Sequence, residues 1–185
     1  MTNPTNRGGD PVSLHGGDLG ELRFQWSTDR YSHSWCFGSQ VVLESCESDS
    51  AELWPASPPL QQIHQQSFGD GREVLFGLGM AGRGHWSASF TLIEDLRCWI
   101  VELACRSPAA PESLSSCYRT NSLWQRESSG LLTCLLDGGT QLSLEAIQPS
   151  AIAEMHDDRI AIRPTRTDAN VSTSQWTFRL RVLSQ

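Results

Sequence analysis

A two-residue alternation of apolar and polar side chains runs through much of this chain and limits it to a fold built from β-strands. The segment LRFQW places Leu22, Phe24 and Trp26 on one side and polar residues on the other. The segment WTFRLRV, near the end of the chain, repeats the pattern. Because successive side chains of a strand point to opposite faces, each segment predicts a strand with one buried and one solvated face.

Further strands are predicted where β-rich runs lie between turn sequences. These runs are YSHSWCF, QVVLES, REVLFGL, HWSASFTL, RCWIVELAC, LLTCLL, TQLSLEAI and RIAIRP. Short intervening turns predict two hairpins, HWSASFTL with RCWIVELAC and LLTCLL with TQLSLEAI. Two stretches, PESLSSCYRTNSLW and EAIQPSAIAEM, resemble short helices, although neither carries a sustained apolar stripe at helical spacing.

Many short strands and few helices favour an all-β fold, because a strand with one apolar face must bury that face against another layer. We predict a mostly antiparallel β-sandwich, with a closed, barrel-like β-sheet as the alternative. A chain of 185 residues with 38% hydrophobic side chains is long enough for one such domain. The Gly-, Asn- and Pro-rich start predicts a flexible N-terminal arm over residues 1–20, so that the single sandwich domain covers 21–185.

The charge balance argues against nucleic acid as a partner. Fourteen basic residues against twenty-one acidic ones give a net charge of −7 and a pI of about 5.1. A protein that follows a phosphate backbone needs a clustered positive field instead. Every basic residue is arginine, which excludes lysine Schiff bases, lysine-linked pyridoxal phosphate and a P-loop lysine.

A cytoplasmic location without a membrane partner is predicted. The first twenty residues lack the basic and apolar regions of a secretory signal, and no apolar run approaches the roughly 20 residues of a membrane helix. In that compartment the six cysteines are expected to be reduced thiols, several of them buried within strands such as RCWIVELAC. No C-x-x-C pair occurs, and no metal site is predicted.

The stretch GLGMAG, from Gly77 to Gly82, matches the G-x-G-x-x-G pattern of dinucleotide-binding loops. Such a loop leads into a helix whose N-terminus faces the pyrophosphate. Here RGHWSASFTL follows, and its alternation of Trp86, Ala88 and Phe90 with polar residues indicates a strand. We therefore predict no cofactor, and we expect the glycines to permit a bulge, a tight turn or the close approach of another backbone.

Polar residues around this motif are the candidate ligand-binding residues. The upstream stretch LWPASPPLQQIHQQSF combines a tryptophan in a proline-rich loop with a strand poor in apolar residues. That strand is either an exposed sheet edge or the wall of a polar groove, in which Gln and Arg form planar hydrogen bonds and an indole stacks on a ligand ring. The candidates are Trp54, Gln61, Gln62, His64, Arg83 and His85.

The segments WPASPPLQQIH and GMAGRGHWSAS, together with DRYSH upstream, resemble a pattern in uncharacterised bacterial proteins of planctomycete type. The resemblance covers roughly the first 105 residues and implies no activity, so it supplies no catalytic residue. It groups Asp29, Arg30 and His33 with the candidates above. Asp29 and Arg30 fall in a predicted turn, where an arginine is expected to be solvated. His33 shares the parity of buried aromatic residues and is expected to be a hydrogen-bonded core histidine.

Two functions of different class follow. The favoured one is a non-catalytic binding or interaction module, for a small polyhydroxyl, carbohydrate-like ligand or a protein partner. The alternative is a sugar mutarotase or epimerase in which His64 and His85 act as acid and orienting group and Glu102 or Glu145 acts as base. The alternative requires an imidazole and a carboxylate within about one water of each other. No residue is assigned a catalytic role from the sequence.

Overall fold

The computed structural model describes residues 6–7, 9–128, 130–165 and 173–183. Its strands are β1 (Asn6–Arg7), β2 (Val12–His15), β3 (Glu21–Ser27), β4 (Arg30–Phe37), β5 (Gln40–Ser45), β6 (Gln62–Ser67), β7 (Glu73–Ala81), β8 (Gly84–Ile93), β9 (Cys98–Arg106), β10 (Ser116–Arg119), β11 (Trp124–Ser128), β12 (Leu131–Leu135), β13 (Gln141–Ala146), β14 (Ala151–His156), β15 (Arg159–Pro164) and β16 (Thr173–Leu183). Two short 3₁₀ helices cover Gly17–Leu19 and Glu94–Leu96. None of the described helices is long and apolar enough to cross a bilayer.

The strands form two antiparallel sheets packed face to face. The nine-stranded sheet has the order β1-β6-β7-β8-β9-β16-β13-β12-β11, and the seven-stranded sheet has the order β14-β15-β10-β5-β4-β3-β2. This confirms the predicted all-β sandwich, and the described strands do not close into a barrel. The two predicted hairpins are also confirmed as β8–β9 and β12–β13.

Aromatic side chains from both sheets fill the centre of the core. Phe24 of the smaller sheet meets Phe90 of the larger one with ring centroids 5.1 Å apart. Trp35 and Tyr118 are 5.4 Å apart, and all four rings are fully or almost fully buried. The predicted alternation therefore places its apolar side against the opposite sheet, as a sandwich requires.

Neither stretch with a weak helical resemblance forms a helix. PESLSSCYRTNSLW contains β10 and the start of β11, and EAIQPSAIAEM contains the end of β13 and most of β14. β10 lies between β5 and β15, where Cys117 and Tyr118 are buried. Pairing with strands that are distant in the sequence thus decides the conformation of segments whose local pattern is weak.

The predicted N-terminal arm takes part in the fold. Strand β2 pairs with β3, and Leu14 and Leu19 belong to the core. The indole of Trp99, in the opposite sheet, donates a hydrogen bond to the Leu19 carbonyl at 2.8 Å. The packed domain therefore begins before residue 21, because two leucines in an otherwise polar segment provide apolar surface to bury. Residues 1–5 of the predicted arm lie outside the described residues.

Candidate functional site

The segments DRYSH, WPASPPLQQIH and GMAGRGHWSAS meet around Leu60. Leu60 lies in the crossover of residues 46–61, which joins β5 of one sheet to β6 of the other. Leu60 is fully buried, and its carbonyl accepts a hydrogen bond from the backbone N–H of Tyr31 at 2.7 Å. On its other side, a Cβ added to Gly77 would lie 2.8 Å from the Leu60 side chain. DRYSH, the proline-rich loop and the glycine motif are thus packed together at one point, which we call the Leu60 junction.

Gly79 shows why the motif contains glycine. A Cβ at this position would lie 1.6 Å from the carbonyl oxygen of Pro59, which leaves no room for a side chain. Gly82 has φ +54° in the turn between β7 and β8, a left-handed conformation that favours glycine. The expectation that the glycines permit a tight turn and the close approach of another backbone is confirmed.

Three of the six candidate residues lie in the crossover of residues 46–61 or in the turn between β7 and β8. The Gln61 side chain accepts from the Met80 N–H at 3.1 Å and donates to the Met80 carbonyl at 3.4 Å, which extends strand pairing. Trp54 is half-buried and packs against the core rather than standing out as a stacking platform. Arg83 is exposed in the β7–β8 turn. Gln61 and Trp54 therefore serve the fold.

Gln62 and His64 lie on the outer face of the nine-stranded sheet. Strand register aligns side chains of this face in two rows that cross β6, β7, β8, β9 and β16. One row is Gln62, Leu78, Ser87, Ala104 and Gln175, and the other is His64, Phe76, Ser89, Glu102 and Thr177. Strand β6 is therefore part of a polar surface, and β1 pairs with only its first residues.

An open groove of about 300 Å³ follows these rows. It is lined by Phe76, Ser87, Ala88, Ser89, Glu102, Leu103, Ala104, Gln175 and Thr177, and we call it the outer groove. Serine and alanine in its floor are smaller than the flanking side chains, which is why the sheet face is indented. The Ser89 hydroxyl donates to the Glu102 carboxylate at 3.1 Å, and Glu102 is the one charged residue of the lining.

His85 lies away from this groove. It is opposite Arg106 on β9 and lines a separate depression of about 530 Å³ with Arg106, Ser107 and Pro108. Register separates His85 from His64 by four residues and two strands, or about 17 Å at about 3.4 Å per residue and 4.8 Å per strand. The structure thus does not bring the two histidines together.

The carboxylates considered for catalysis are equally distant from the histidines. Glu102 lies in the same row as His64 but three strands away, about 14 Å. Glu145 accepts from Arg179 at 2.7 Å on β13, farther along the sheet. No pair of these groups lies within one water of the other, so the geometry does not support the mutarotase or epimerase mechanism.

The smaller sheet carries a third depression, which sequence reasoning missed. This cleft, of about 600 Å³, lies beside the end of β5, and we call it the β5 cleft. Its lining combines hydroxyl, carboxylate, thiol and guanidinium groups from Ser27, Ser32, Glu44, Ser45, Cys46, Glu47, Ser48, Asp49, Glu52, Ala56, Arg119 and Arg159. The residues come from four separate stretches of the chain, so no short sequence motif identifies them.

Arg30 corrects the expectation of a solvated turn arginine. Its side chain is 3% exposed, and its Nε and Nη2 donate to the two carboxylate oxygens of Asp29 at 2.8 and 3.0 Å. The hydrogen bonds from Arg30 lower the pKa of Asp29. Tertiary packing buries this guanidinium, and its charge is balanced by the adjacent carboxylate.

His33 is the core histidine that its parity predicts. It is 3% exposed, and its Nε2 lies 3.0 Å from the Tyr118 hydroxyl. Burial lowers the pKa of His33 to about 3, so the ring is neutral at physiological pH. It stacks on Phe24 with centroids 5.3 Å apart and is not among the residues that line the depressions described above.

Comparison with known proteins identifies no relative. No protein-family model matches the chain, and no curated protein sequence matches it. Within the described part of the chain, no three His, Cys, Asp or Glu side chains are grouped so as to hold a metal ion.

Proposed function

We propose that this protein is a non-catalytic binding module that takes a neutral polyhydroxyl ligand of carbohydrate type along the outer groove. The supporting observation is the groove itself, an indentation in a broad polar sheet face with hydroxyl and amide groups in its floor and walls. Ser87 and Ser89 present hydroxyls that both donate and accept, and Gln175 presents an amide. Phe76, at one side, offers an apolar ring surface to a sugar ring.

The charge of the lining favours a neutral ligand over an anionic one. The described residues that line the outer groove include one carboxylate and no arginine. A carboxylate accepts hydrogen bonds from sugar hydroxyls but repels phosphate, sulfate and uronate groups. The cation that the sequence suggested for this site, Arg83, lies in the β7–β8 turn instead.

The two rows favour an oligosaccharide over a single sugar. They cross five neighbouring strands, which is about 19 Å at a spacing of about 4.8 Å. Gln62 and His64 form one end and Gln175 and Thr177 the other. A surface of this length presents several successive groups to a chain-like ligand, so that affinity accumulates from weak contacts.

The test is binding to immobilised neutral hexasaccharides of glucose, xylose and mannose, with Ser87→Tyr as the variant. A tyrosine ring would fill the floor, and we expect binding to fall at least tenfold, or about 1.4 kcal/mol. Gln125→Tyr is the matched control, because Gln125 is exposed on β11 of the same sheet, outside the groove. Loss of binding in both variants, or in neither, would contradict a site in the groove.

Gln62→Ala tests whether ligand binding can be weakened without a loss of stability. Gln62 is half-buried on the outer face, so its truncation should weaken binding and leave the midpoint of thermal unfolding unchanged. Trp54→Ala should lower that midpoint instead, because Trp54 packs against the core. Binding that survives Gln62→Ala without loss would confine the ligand to the strands beyond β6.

A cytoplasmic bacterial setting accompanies this proposal. All six cysteines are free thiols, the form that a reducing compartment maintains. The bacterial assignment has the support of the sequence pattern that meets at the Leu60 junction.

A further inference from the structure

Two cysteines lie side by side at the β5 cleft. In the β5–β10 pair, Tyr118 is opposite Ser45 and Arg119 is opposite Glu44. One further step along the ladder places Cys117 opposite Cys46, and the Cys46 N–H donates to the Cys117 carbonyl at 2.8 Å. Directly opposed residues of antiparallel strands have Cα atoms about 4.5–5.5 Å apart, which is within the range that a disulfide bridges.

The surroundings of this pair favour a thiolate. Arg119 and Arg159 line the same cleft as Cys46, and Arg163 also acts on Cys117 electrostatically. A hydrogen bond from the Cys46 thiol lowers the pKa of Cys117, and the arginines act in the same direction. The pKa of Cys46 is raised, because its proton would leave from beside an existing thiolate.

The pair differs from the other cysteines in access as well. Cys46 is half-buried and lines the cleft, and Cys117 is 8% exposed beside it. The remaining four, Cys36, Cys98, Cys105 and Cys134, are at most 2% exposed. Burial raises the pKa of Cys98, Cys105 and Cys134, which makes these thiols less reactive.

We propose that Cys46 and Cys117 form an oxidisable dithiol that hydrogen peroxide converts to a disulfide. The Cys117 thiolate attacks one peroxide oxygen and the O–O bond breaks; Cys117 becomes a sulfenic acid, and the departing hydroxide takes a proton to form water. The Cys46 sulfur then attacks the Cys117 sulfur, and the hydroxyl leaves as water with the Cys46 proton. In total, two thiols are oxidised by two electrons and one peroxide is reduced to two waters.

The bond would fasten the crossover of residues 46–61 to β10. Cys46 is the first residue of that crossover, and the Cys117 carbonyl already accepts from the Ser57 hydroxyl at 2.7 Å. Oxidation therefore closes a covalent link at a place where the chain is already held by hydrogen bonds. This inference does not depend on ligand binding in the outer groove.

The test is differential alkylation of the full-length, reduced protein at pH 7.5, read by peptide mass spectrometry. Cys46 and Cys117 should be alkylated severalfold faster than the other four cysteines, because the pair lies at the cleft and the others are at most 2% exposed. After one equivalent of hydrogen peroxide, the non-reducing peptide map should contain a Cys46–Cys117 cross-link that dithiothreitol removes. A map with both thiols unmodified, or with either one linked elsewhere, would overturn the proposal.

Variants test the order of the two steps. In Cys46→Ser the sulfenic acid on Cys117 has no resolving thiol, so dimedone should label Cys117 stoichiometrically. Cys134→Ala is the matched control, since it removes a buried thiol outside the pair and should leave the cross-link unchanged. Dimedone labelling of another cysteine in place of Cys117 would contradict the mechanism. Should Cys46→Ser not fold, the map of the unmodified sequence still decides the matter.

Discussion

The two faces of strand β7 differ sharply in how well they tolerate a larger side chain. On the inner face, Gly77 and Gly79 are covered by Leu60 and by the Pro59 backbone, with no space for a methyl group. On the outer face, Phe76 is half-buried and lines the open groove, and Leu78 is exposed. Residues adjacent in the sequence thus have opposite roles, because alternate side chains of a strand point to opposite faces.

This difference explains how one sequence motif can combine a structural role with the proposed binding role. Its glycines and the Gln61 side chain hold the crossover against the sheet, whereas the polar residues of the neighbouring strands form the floor of the groove. A rigid inner face holds the outer rows in register, and a ligand surface requires that register. Substitutions on the two faces should therefore separate stability from binding.

The largest expected effect is on the inner face, in Gly79→Ala. The added Cβ would overlap the Pro59 carbonyl, so the crossover must move, and we expect a loss of about 3 kcal/mol in the free energy of unfolding. Urea denaturation measures this loss. Gly69→Ala is the control, because nothing lies within 4 Å of its Cβ, and it should change the free energy by less than about 0.5 kcal/mol. Equal effects in the two variants would show that the junction is not tightly packed.

His33, a buried residue of the core, makes the stability of the protein depend on pH. Its pKa is about 3 in the folded protein and about 6.5 when unfolded, so protons bind preferentially to the unfolded chain. The stability from His33 is full above pH 6.5 and is lost as the pH falls towards 3. When the pH is lowered from 7.5 to 4.5, the free energy of unfolding should fall by about 2 to 3 kcal/mol. His33→Gln does not titrate, so the difference between the two stability profiles measures His33 alone; parallel profiles would contradict a buried neutral ring.

Gln61→Ala should have an intermediate effect. It removes the amide that pairs with the Met80 backbone, and we expect a loss of about 1 kcal/mol in thermal or urea unfolding. Gln66→Ala is the matched control, because Gln66 is an exposed glutamine on β6, the strand that follows Gln61. Sugar binding should be retained in both variants. Weakened binding without a change in stability would show that Gln61 belongs to the ligand site and not to the Leu60 junction.

The smallest effect on stability is expected on the outer face, in Glu102→Gln. The Ser89–Glu102 hydrogen bond is exposed, so the free energy of unfolding should change by less than about 0.5 kcal/mol. Binding of a neutral hexasaccharide should change severalfold, because Glu102 supplies the charged acceptor of the groove. A large loss of stability would show that the outer face, too, is structural.

Part of the candidate site could be predicted from the sequence. Alternation correctly put Ser87 and Ser89 on the face opposite Trp86, Ala88 and Phe90, and His33 in the core, since parity along one strand is a local property. It could not show that Gln61 turns back to pair with Met80, because that contact joins the crossover to a strand that is distant in the sequence. It also missed Arg30, whose burial is decided by packing around a turn, and the β5 cleft, whose residues are scattered through the chain.

The sequence by itself determined the class of fold, because a period of two, repeated in segment after segment, is incompatible with helices and needs a second layer to cover its apolar side. Only the tertiary structure decided the order of the strands and which residues lie side by side across the sheet. It also decided that the two stretches with a weak helical resemblance form strands. Those features depend on pairing between residues far apart in the chain, such as β9 with β16 and Cys46 with Cys117. The free energy of such pairing comes from the whole sheet and is not encoded in any short window of sequence.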